Sequence, residues 1–311
     1  MKKIVLILGL TLALFSCKKE DNNNETPSTT EIPFPKTIVK EEVSNIATVI
    51  TTESYTLDSG NKITSFTKKI VDNNTPTTDE TYTINYNGNM ITSIAVKNNS
   101  QSNRDYTYNF NYSGNYLQSI TRSDNVQKIT YEYVNGKVAS KTTVDGTVIK
   151  KYSYTYESGK IKMIGNNPNN PTSEANDHFT YTLNSHGTVV SLEKITYIGN
   201  VPKEDTKGTC TYQYDNKPNI FQRDVFKYLA EIELISKYDY YGDYYRDPLL
   251  RTGAHNIVSY TKNLVPDAHP DYQDLENATR SFHYQWNSNN SPKSMEYKKN
   301  NNHKANYTYT Y

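Results

Sequence analysis

The feature that most constrains the fold of this chain is the recurrence of tyrosine at alternate positions. All 29 tyrosines lie at or beyond Tyr55. Many form short runs interleaved with Thr, Asn, Ser or Glu: Tyr82-x-Ile84-x-Tyr86, Tyr106-x-Tyr108-x-Phe110-x-Tyr112, Tyr152-x-Tyr154-x-Tyr156, Phe282-x-Tyr284-x-Trp286 and Tyr307-x-Tyr309-x-Tyr311. Because successive side chains of a strand point to opposite faces, each run predicts a β-strand with one aromatic and one polar face.

Turn signals follow these runs at regular intervals. Glycines at 60, 88, 114, 136, 159 and 187 are separated by 28, 26, 22, 23 and 28 residues. Glycine tolerates the positive φ angles of tight hairpin turns, and we expect such angles at Gly88 and Gly114. The first three return arms also share a pattern, with Ile63, Ile91 and Leu117 followed by Ser65-Phe66, Ser93-Ile94 and Ser119-Ile120. Repeats of this length must pair with one another to bury an apolar face.

Tyrosine must also supply much of the core. Leu, Ile, Val and Phe account for only 53 of the 294 residues from 18 onward, although the low net charge argues against disorder. Between Phe221 and Ser236, apolar residues recur at three- and four-residue steps, which predicts one amphipathic helix over 221–236 that covers the sheet. The predicted fold is mainly β, an antiparallel meander of hairpins forming a curved or barrel-like sheet with that helix.

The N-terminus has the pattern of an exported lipoprotein. Lys2 and Lys3 precede an apolar run over 4–15, which is shorter than the roughly 20 residues that cross a bilayer. Leu14-Phe15-Ser16-Cys17 resembles a lipobox, so we expect cleavage before Cys17 and acylation of its thiol. Its partner would be a membrane, bound through the lipid.

The next residues, Lys18, Lys19, Glu20 and Asp21, resemble the signal that carries Bacteroidetes lipoproteins to the exterior face of the outer membrane. A solvated charged linker is the alternative interpretation, and the two are compatible. The predicted organisation is a signal peptide over 1–16, a lipidated flexible tether over 17–36, and a single β-repeat domain over 37–311.

Charge and cysteine content exclude several classes of function. Loss of the two signal-peptide lysines changes the formal net charge from +1 to −1, which gives no support to nucleic acid binding. With Cys17 acylated, Cys210 is the only other cysteine, so no intramolecular disulfide can form. The six histidines lack metal-binding spacing, and no Gly-x-Ser-x-Gly or phosphate loop is present. We expect no cofactor, no metal and no catalytic residues.

One stretch after the predicted helix is dense in aromatic and acidic residues. Its candidate ligand-binding residues are Tyr240, Tyr241, Asp243, Tyr244 and Tyr245. Tyrosine rings stack well on sugar faces, so a polysaccharide is one expected partner and another envelope protein is a second. These rings are equally suited to closing one end of a barrel.

An enzymatic alternative uses the acids of the same region. A glycosidase-like surface hydrolase needs two carboxylates about 5–10 Å apart, and residues 231–247 contain Asp239, Asp243 and Asp247. A membrane-spanning barrel is less consistent with the sequence. Its lipid-facing band requires aliphatic residues, whereas these runs are tyrosine and the mean hydropathy is −0.81. We expect a water-soluble domain.

The hairpins with Tyr-x-Tyr-x-x-Gly spacing, together with later motifs, resemble a known family. The motifs are Tyr212-Gln213-Tyr214-Asp215-Asn216-Lys217-Pro218-Asn219, Asn256-Ile257-Val258, Phe282-His283-Tyr284-Gln285-Trp286 and the closing Tyr307-Thr308-Tyr309-Thr310-Tyr311. Over residues 55–311 the chain resembles Bacteroidetes lipoprotein domains of unknown function described as having a porin-like fold. It departs from them at Ile220, where a second proline is usual. The resemblance implies a curved or barrel-like antiparallel sheet and no established activity.

A fainter resemblance is to the tyrosine-aspartate (YD/RHS-like) repeats of shell-forming bacterial toxins. It rests on Tyr214-Asp215 and Tyr238-Asp239-Tyr240.

Overall fold

The computed structural model describes residues 32–100, 104–166, 175–233, 235, 253–264, 278–300 and 303–311. These ranges contain 18 strands and one helix, α1 (Asp224–Glu233). The strands are β1 (Thr37–Val43), β2 (Thr48–Leu57), β3 (Ile63–Asp72), β4 (Thr75–Asn87), β5 (Met90–Asn98), β6 (Tyr106–Ser113), β7 (Tyr116–Arg122), β8 (Gln127–Val134), β9 (Lys137–Asp145), β10 (Val148–Glu157), β11 (Lys160–Asn166), β12 (Ala175–Leu183), β13 (Val189–Ile198), β14 (Val201–Pro218), β15 (His255–Leu264), β16 (Ala278–Trp286), β17 (Pro292–Asn300) and β18 (His303–Thr310).

The strands form one closed antiparallel barrel. Each strand pairs with the next in the sequence, and β18 returns to pair with β1. Thr37 of β1 lies opposite Ser54 of β2 on one side and Thr310 of β18 on the other. An even number of strands allows every pair in a closed meander to be antiparallel. The prediction of an antiparallel meander of hairpins is therefore confirmed, and each of the described strands is paired on both sides.

Inward and outward positions alternate as the tyrosine pattern predicts. On β6, Tyr108 and Phe110 are buried inside the barrel, while Asn109 and Asn111 are exposed on its outer surface. Outward positions are mostly Thr, Ser, Asn, Lys and Glu, and some bond across strands, as Asn111 Nδ2 does to Ser119 Oγ (3.1 Å). The hydrophobic core of the described residues thus lies inside the barrel.

The end of the barrel that contains Gly88, Gly114, Gly136, Gly159 and Gly187 is called the glycine rim. Gly88 and Gly114 each have φ of 58°, as expected. Gly60 is one of the predicted turn glycines, but the left-handed residue in that turn is Asn61, with φ of 60°. The Asp58 carboxylate accepts the backbone N–H groups of Gly60 and Lys62, which fixes the turn in this form.

A β-bulge explains the shared pattern of the return arms. In the β4–β5 hairpin, Asn85 pairs with Ser93 but Tyr86 pairs with Ile91, so one residue is extra on β5. Equivalent shifts occur in the β2–β3 and β6–β7 hairpins. In a regular strand, residues three apart point to opposite faces. The extra residue changes this, so that Ile91 and Ile94 both point inward and are fully buried.

A recurring hydrogen bond joins neighbouring hairpins at the glycine rim. In each case a strand-end tyrosine donates its hydroxyl to the carbonyl oxygen of the residue just before a bulge in the previous hairpin. We call these bonds tyrosine latches: Tyr86 to Ile63 (2.8 Å), Tyr133 to Leu117 (2.9 Å), Tyr214 to Val189 (2.5 Å) and Tyr311 to Pro292 (2.9 Å). The latch satisfies the only polar group of a ring that otherwise packs in the core.

Two predicted boundaries differ from the structure. The helix spans Asp224–Glu233 and not 221–236, because the Asn219 side chain accepts the N–H of Phe221 and holds the preceding residues in a turn. The packed domain begins before residue 37, because Phe34 and Pro35 of the predicted tether are buried. None of the helical residues described forms a segment long and apolar enough to cross a membrane.

The latch at Tyr86 predicts a pH-dependent stability. Tyr86→Phe should lower the free energy of unfolding by about 1 kcal/mol at neutral pH. Burial raises the pKa of Tyr86 to about 12 from 10.0, so the native state holds this proton after the unfolded chain has released it. The stabilisation by the Tyr86 hydroxyl is complete below about pH 10 and declines as the pH rises towards about 12. Over that interval the free energy of unfolding should therefore fall less for Tyr86→Phe than for the wild-type protein.

Denaturant unfolding across this pH range measures the effect. Tyr116→Phe is the matched control, because that ring is 46% exposed and its hydroxyl makes no latch. Equal behaviour of the two variants would contradict the role of the latch.

Candidate functional site

Helix α1 lies inside the barrel and contacts strands on different sides of it. The Phe226 ring lies 6.1 Å from that of Tyr55 on β2, between centroids, and the Tyr228 ring lies 5.2 Å from Phe110 on β6. Farther along the helix, the partners are on β9 and β10. Because β2 and β10 are eight strands apart around the 18-stranded barrel, the helix bridges the interior.

Two lysines of the sheet hold the C-terminal part of the helix. Lys141 Nζ lies 2.7 Å from Glu231 Oε2, and their side chains are only 4% and 15% exposed. Lys150 Nζ donates to the carbonyl oxygen of Ile235 at 3.2 Å. A cation at this position interacts favourably with the negative end of the helix dipole. Burial lowers the pKa of Lys150 from its usual value.

Buried amides fix the point where β14 leads into the helix. Asn256 Nδ2 contacts both carboxylate oxygens of Asp215, at 3.3 and 3.2 Å. Asn219 Nδ2 donates to the Gly253 carbonyl oxygen at 3.0 Å. These residues come from two of the motifs quoted above for the family resemblance, which the structure brings together.

The interior is closed near the glycine rim by the segment before β1. Phe34 stacks on Phe226 with 5.5 Å between ring centroids. The guanidinium of Arg223 lies 4.8 Å from the centre of the Phe34 ring, and its Nη1 donates to the Asn61 carbonyl oxygen at 2.6 Å. The N-terminal segment, the helix and the β2–β3 turn are thereby joined.

A cavity with a mixed charged and apolar lining remains beside the helix, and we call it the chamber. Its volume is about 220 Å³, and it lies between α1 and strands β1, β2, β3, β16, β17 and β18. Its charged lining residues are Lys40, Glu53, Lys68 and Glu233. Tyr284, Tyr307 and Tyr309 supply aromatic surface, and Ile70 and Met295 supply apolar surface.

Opposite charges alternate across neighbouring strands at the chamber wall. Glu53 on β2 pairs in register with Lys68 on β3, which pairs with Glu80 on β4. Each glutamate accepts a tyrosine hydroxyl from its own strand: Tyr55 bonds to Glu53, and Tyr82 bonds to Glu80 at 2.7 Å. Burial, followed by the charge of Glu80, raises the pKa of Tyr82 well above its usual value.

The residues selected from the sequence lie outside the part of the chain that the structure describes. Cys17 and the signal residues Lys18, Lys19, Glu20 and Asp21 lie outside the described residues. The candidate ligand-binding residues Tyr240, Tyr241, Asp243, Tyr244 and Tyr245 also lie outside them, as do Asp239 and Asp247. The predictions for these residues therefore stay predictions.

Two acids of the 231–247 region can be placed. Glu231 is held by Lys141, while Glu233 lines the chamber. Within the described part of the chain, no three His, Cys, Asp or Glu side chains are grouped so as to hold a metal ion. Sequence reasoning missed the chamber residues, although one signal was available. In strands whose inward and outward side chains alternate, Lys68, Glu80 and Lys141 occupy inward positions, where a charge is unusual.

Comparison with solved structures gives several matches to this chain. No family model and no curated protein matches the sequence. A porin-like protein from Bacteroides uniformis is 13% identical, over 89% of this chain and 96% of that one, with a TM-score of 0.43. A porin-like protein from Bacteroides vulgatus is 12% identical, over 90% and 98%, with a TM-score of 0.42. The TcdB2-TccC3-Cdc42 structure is 13% identical, over 79% of this chain and 12% of that one, with a TM-score of 0.38.

The ion pair between the helix and β9 should be necessary for stability. Glu231→Gln removes the carboxylate charge that faces the buried Lys141 ammonium group, which should cost about 3 kcal/mol of unfolding free energy. The double variant Lys141→Met with Glu231→Leu should recover most of that loss, since no charge is then buried.

The pair between Lys162 and Glu157 is the matched control. Its N···O distance is also 2.7 Å, but both side chains are more than 40% exposed. Lys162→Met should therefore change stability by less than about 1 kcal/mol. A similar small effect from Glu231→Gln in denaturant unfolding would show that the helix is not held by this contact.

Proposed function

We propose that the protein is a lipid-anchored protein of the bacterial envelope whose barrel is a non-catalytic binding or structural module and not a channel. The observation that carries this proposal is the filled interior. Barrels of 16–18 strands in porins leave an aqueous channel. Here α1, Phe34 and inward tyrosines occupy that space, with Phe226 in contact with both the N-terminal segment and β2.

The outer surface supports a barrel that stands in water. Outward positions such as Asn109, Asn111 and Ser119 are polar, so the described strands offer no continuous apolar band to lipid. This distribution is the reverse of a membrane pore, which has an apolar exterior and a polar lumen. The proposed contact with the membrane is the lipid on Cys17.

The proposed location is the outer membrane, with the barrel on the exterior face. Lys18, Lys19, Glu20 and Asp21 support this orientation through their resemblance to a surface-export signal. The tether would join the barrel at the glycine rim, because Phe34 packs there and Thr37 begins β1 at that end. The opposite rim is then free to face away from the membrane.

The proposed partners are a polysaccharide or another envelope protein, and nucleic acid is not among them. The near-neutral charge of the mature chain and the abundance of tyrosine support this choice. The proposal of a non-enzyme is supported by Glu231, an acid of the 231–247 region, whose carboxylate is held by Lys141 in a buried ion pair and does not line the chamber.

Bilayer conductance, protease digestion of whole cells and a Cys17 variant test the proposal together. The purified protein added to a planar bilayer should produce no ion conductance, and protease applied to whole cells should digest the barrel. Cys17→Ala should abolish acylation and remove the protein from the membrane fraction, whereas Cys210→Ala should leave both unchanged. Stable single-channel currents would contradict the closed barrel, and protection of the wild-type protein in intact cells would contradict surface display.

A further inference from the structure

The buried arginine of β16 is balanced differently from lysines buried elsewhere in the barrel. Lys141 Nζ lies 2.7 Å from a carboxylate oxygen of Glu231, and Lys194 Nζ lies 3.4 Å from one of Asp177. Arg280 is only 8% exposed, yet its guanidinium forms no ion pair with any residue that the structure describes. Because arginine stays protonated in folded proteins, this positive charge is buried without a counter-ion from the described chain.

The hydrogen bonds of Arg280 use only one end of its guanidinium. Nη1 donates to the hydroxyl oxygens of Tyr297 at 2.7 Å and Tyr260 at 3.3 Å. Within the described ranges, Nε is buried with no hydrogen-bond partner, and Nη2 has none either. Nε and Nη2 lie on the same edge of the planar group, and such an edge can hold two oxygens of one carboxylate side by side.

A second arginine of the barrel shows this edge in use. Arg122 on β7 pairs in register with Tyr108 on β6, as Arg280 does with Tyr260 on β15, and both pairs lie towards the rim opposite the glycine rim. Arg122 Nε donates to Asp124 Oδ1 at 2.8 Å, and its Nη2 donates to Oδ2 at 2.7 Å. Asp124 lies two residues farther towards that rim. The sequence has alanine at the corresponding position of β16, so that strand brings no carboxylate of its own.

We propose that the Nε–Nη2 edge of Arg280 binds the carboxylate of a ligand, in the way that Arg122 binds Asp124. This inference deepens the proposed function, because it rests on the barrel being a binding module. One guanidinium edge offers one positive charge and two donors, which match the one charge and two oxygens of a carboxylate. A phosphate monoester carries about two charges and three acceptor oxygens, which exceed what this edge supplies.

The expected ligand class is therefore a monocarboxylate. Its source is either a free organic acid or a uronate of an acidic polysaccharide, and both present the same group to Arg280. The site lies near the rim farther from the lipid tether, because β16 begins at that rim. A ligand would thus approach from the side of the barrel that faces away from the membrane.

Calorimetric titration of the detergent-solubilised, acylated protein tests the proposal with two probes. Sodium acetate presents the carboxylate alone, and sodium D-glucuronate presents it on a sugar ring. Acetamide and D-glucuronamide keep the shape and lose the charge, so they are the neutral controls. At least one carboxylate should bind with one-to-one stoichiometry, at least about tenfold more tightly than its amide. Acetate binding as tightly as glucuronate or more tightly would indicate a free organic acid, and tighter binding of glucuronate would indicate the polysaccharide.

Variants locate the binding. Arg280→Gln should raise the Kd of the bound carboxylate at least about tenfold. Arg280→Lys keeps the charge but loses the two-donor edge, so its Kd should also rise about tenfold. Arg122→Gln is the matched control, because Asp124 already occupies that guanidinium edge, and its Kd should be unchanged. Circular dichroism checks the fold of each variant, and Arg280→Lys provides the test if Arg280→Gln does not fold.

Unfolding by denaturant gives a second readout. Because only the native protein would bind the carboxylate, the bound probe should raise the denaturant midpoint of the wild-type protein, at constant ionic strength. The midpoint of the folded Arg280 variant should not respond to the probe, whereas that of Arg122→Gln should respond as the wild type does.

Absence of binding by both carboxylates, or an unchanged Kd in a folded Arg280 variant, would overturn the proposal. Such a failure is distinguishable from failure of the proposed function. A barrel that binds neither probe but also conducts no ions and is digested on intact cells keeps its assignment as an envelope module. Conductance through the bilayer would instead remove the assignment itself.

Discussion

The need to fill the inside of a wide barrel governs the rest of this structure. A closed sheet of 18 strands encloses more space than aliphatic side chains from its own strands can occupy. Tyrosine reaches farther into that space than leucine or valine, but its hydroxyl must find a partner when the ring is buried. The latches, such as Tyr86 to Ile63, place that hydroxyl on a backbone carbonyl of the adjacent hairpin. The same side chain thus fills the core and sets the register between repeats.

Helix α1 supplies the volume that the strands cannot. Its position depends on contacts that come from distant parts of the chain, since Phe34 precedes the first strand and Lys141 lies on β9. Direct charge pairs and aromatic packing hold the helix on the side of β6, β9 and β10. On the side of β1 to β3 the chamber lies between the helix and the strands. Among the described residues, the filled interior and the chamber are therefore two results of one arrangement, in which α1 bridges the barrel and leaves a cavity beside it.

The sequence predicted the local elements of this fold well, because they depend on period and turn chemistry. Alternation identified the faces of β6, and Gly88 has the positive φ that its turn requires. The pattern linking Ile91 to Ile94 was visible, but its cause was not, because a bulge is a property of two paired strands. The choice of Asn61 over Gly60 depended on the side chain of Asp58, which propensity does not reveal.

The chamber was beyond sequence reasoning for a different reason. Glu53, Lys68 and Glu80 lie in three strands, and their alternation of charge exists only in the register of the sheet. Closure of the barrel likewise depends on β18 finding β1 across almost the whole chain. The tyrosines and acids between 238 and 247 are predicted from local density alone, and they lie outside the described residues.

The most direct test of a filled interior uses Cys210, an inward and buried residue of β14 and the only thiol left when Cys17 is acylated. A charged, water-soluble thiol reagent is applied to the native protein, and the labelling rate is followed by mass spectrometry, with Cys210→Ala as the blank. A plugged barrel exposes this thiol only when the barrel opens, so labelling should be slower than that of free cysteine by about a thousandfold or more. The labelling rate should rise as denaturant lowers the free energy of unfolding. Labelling of native protein at nearly the rate of free cysteine, insensitive to denaturant, would show that water reaches the middle of the barrel and would contradict the closed interior.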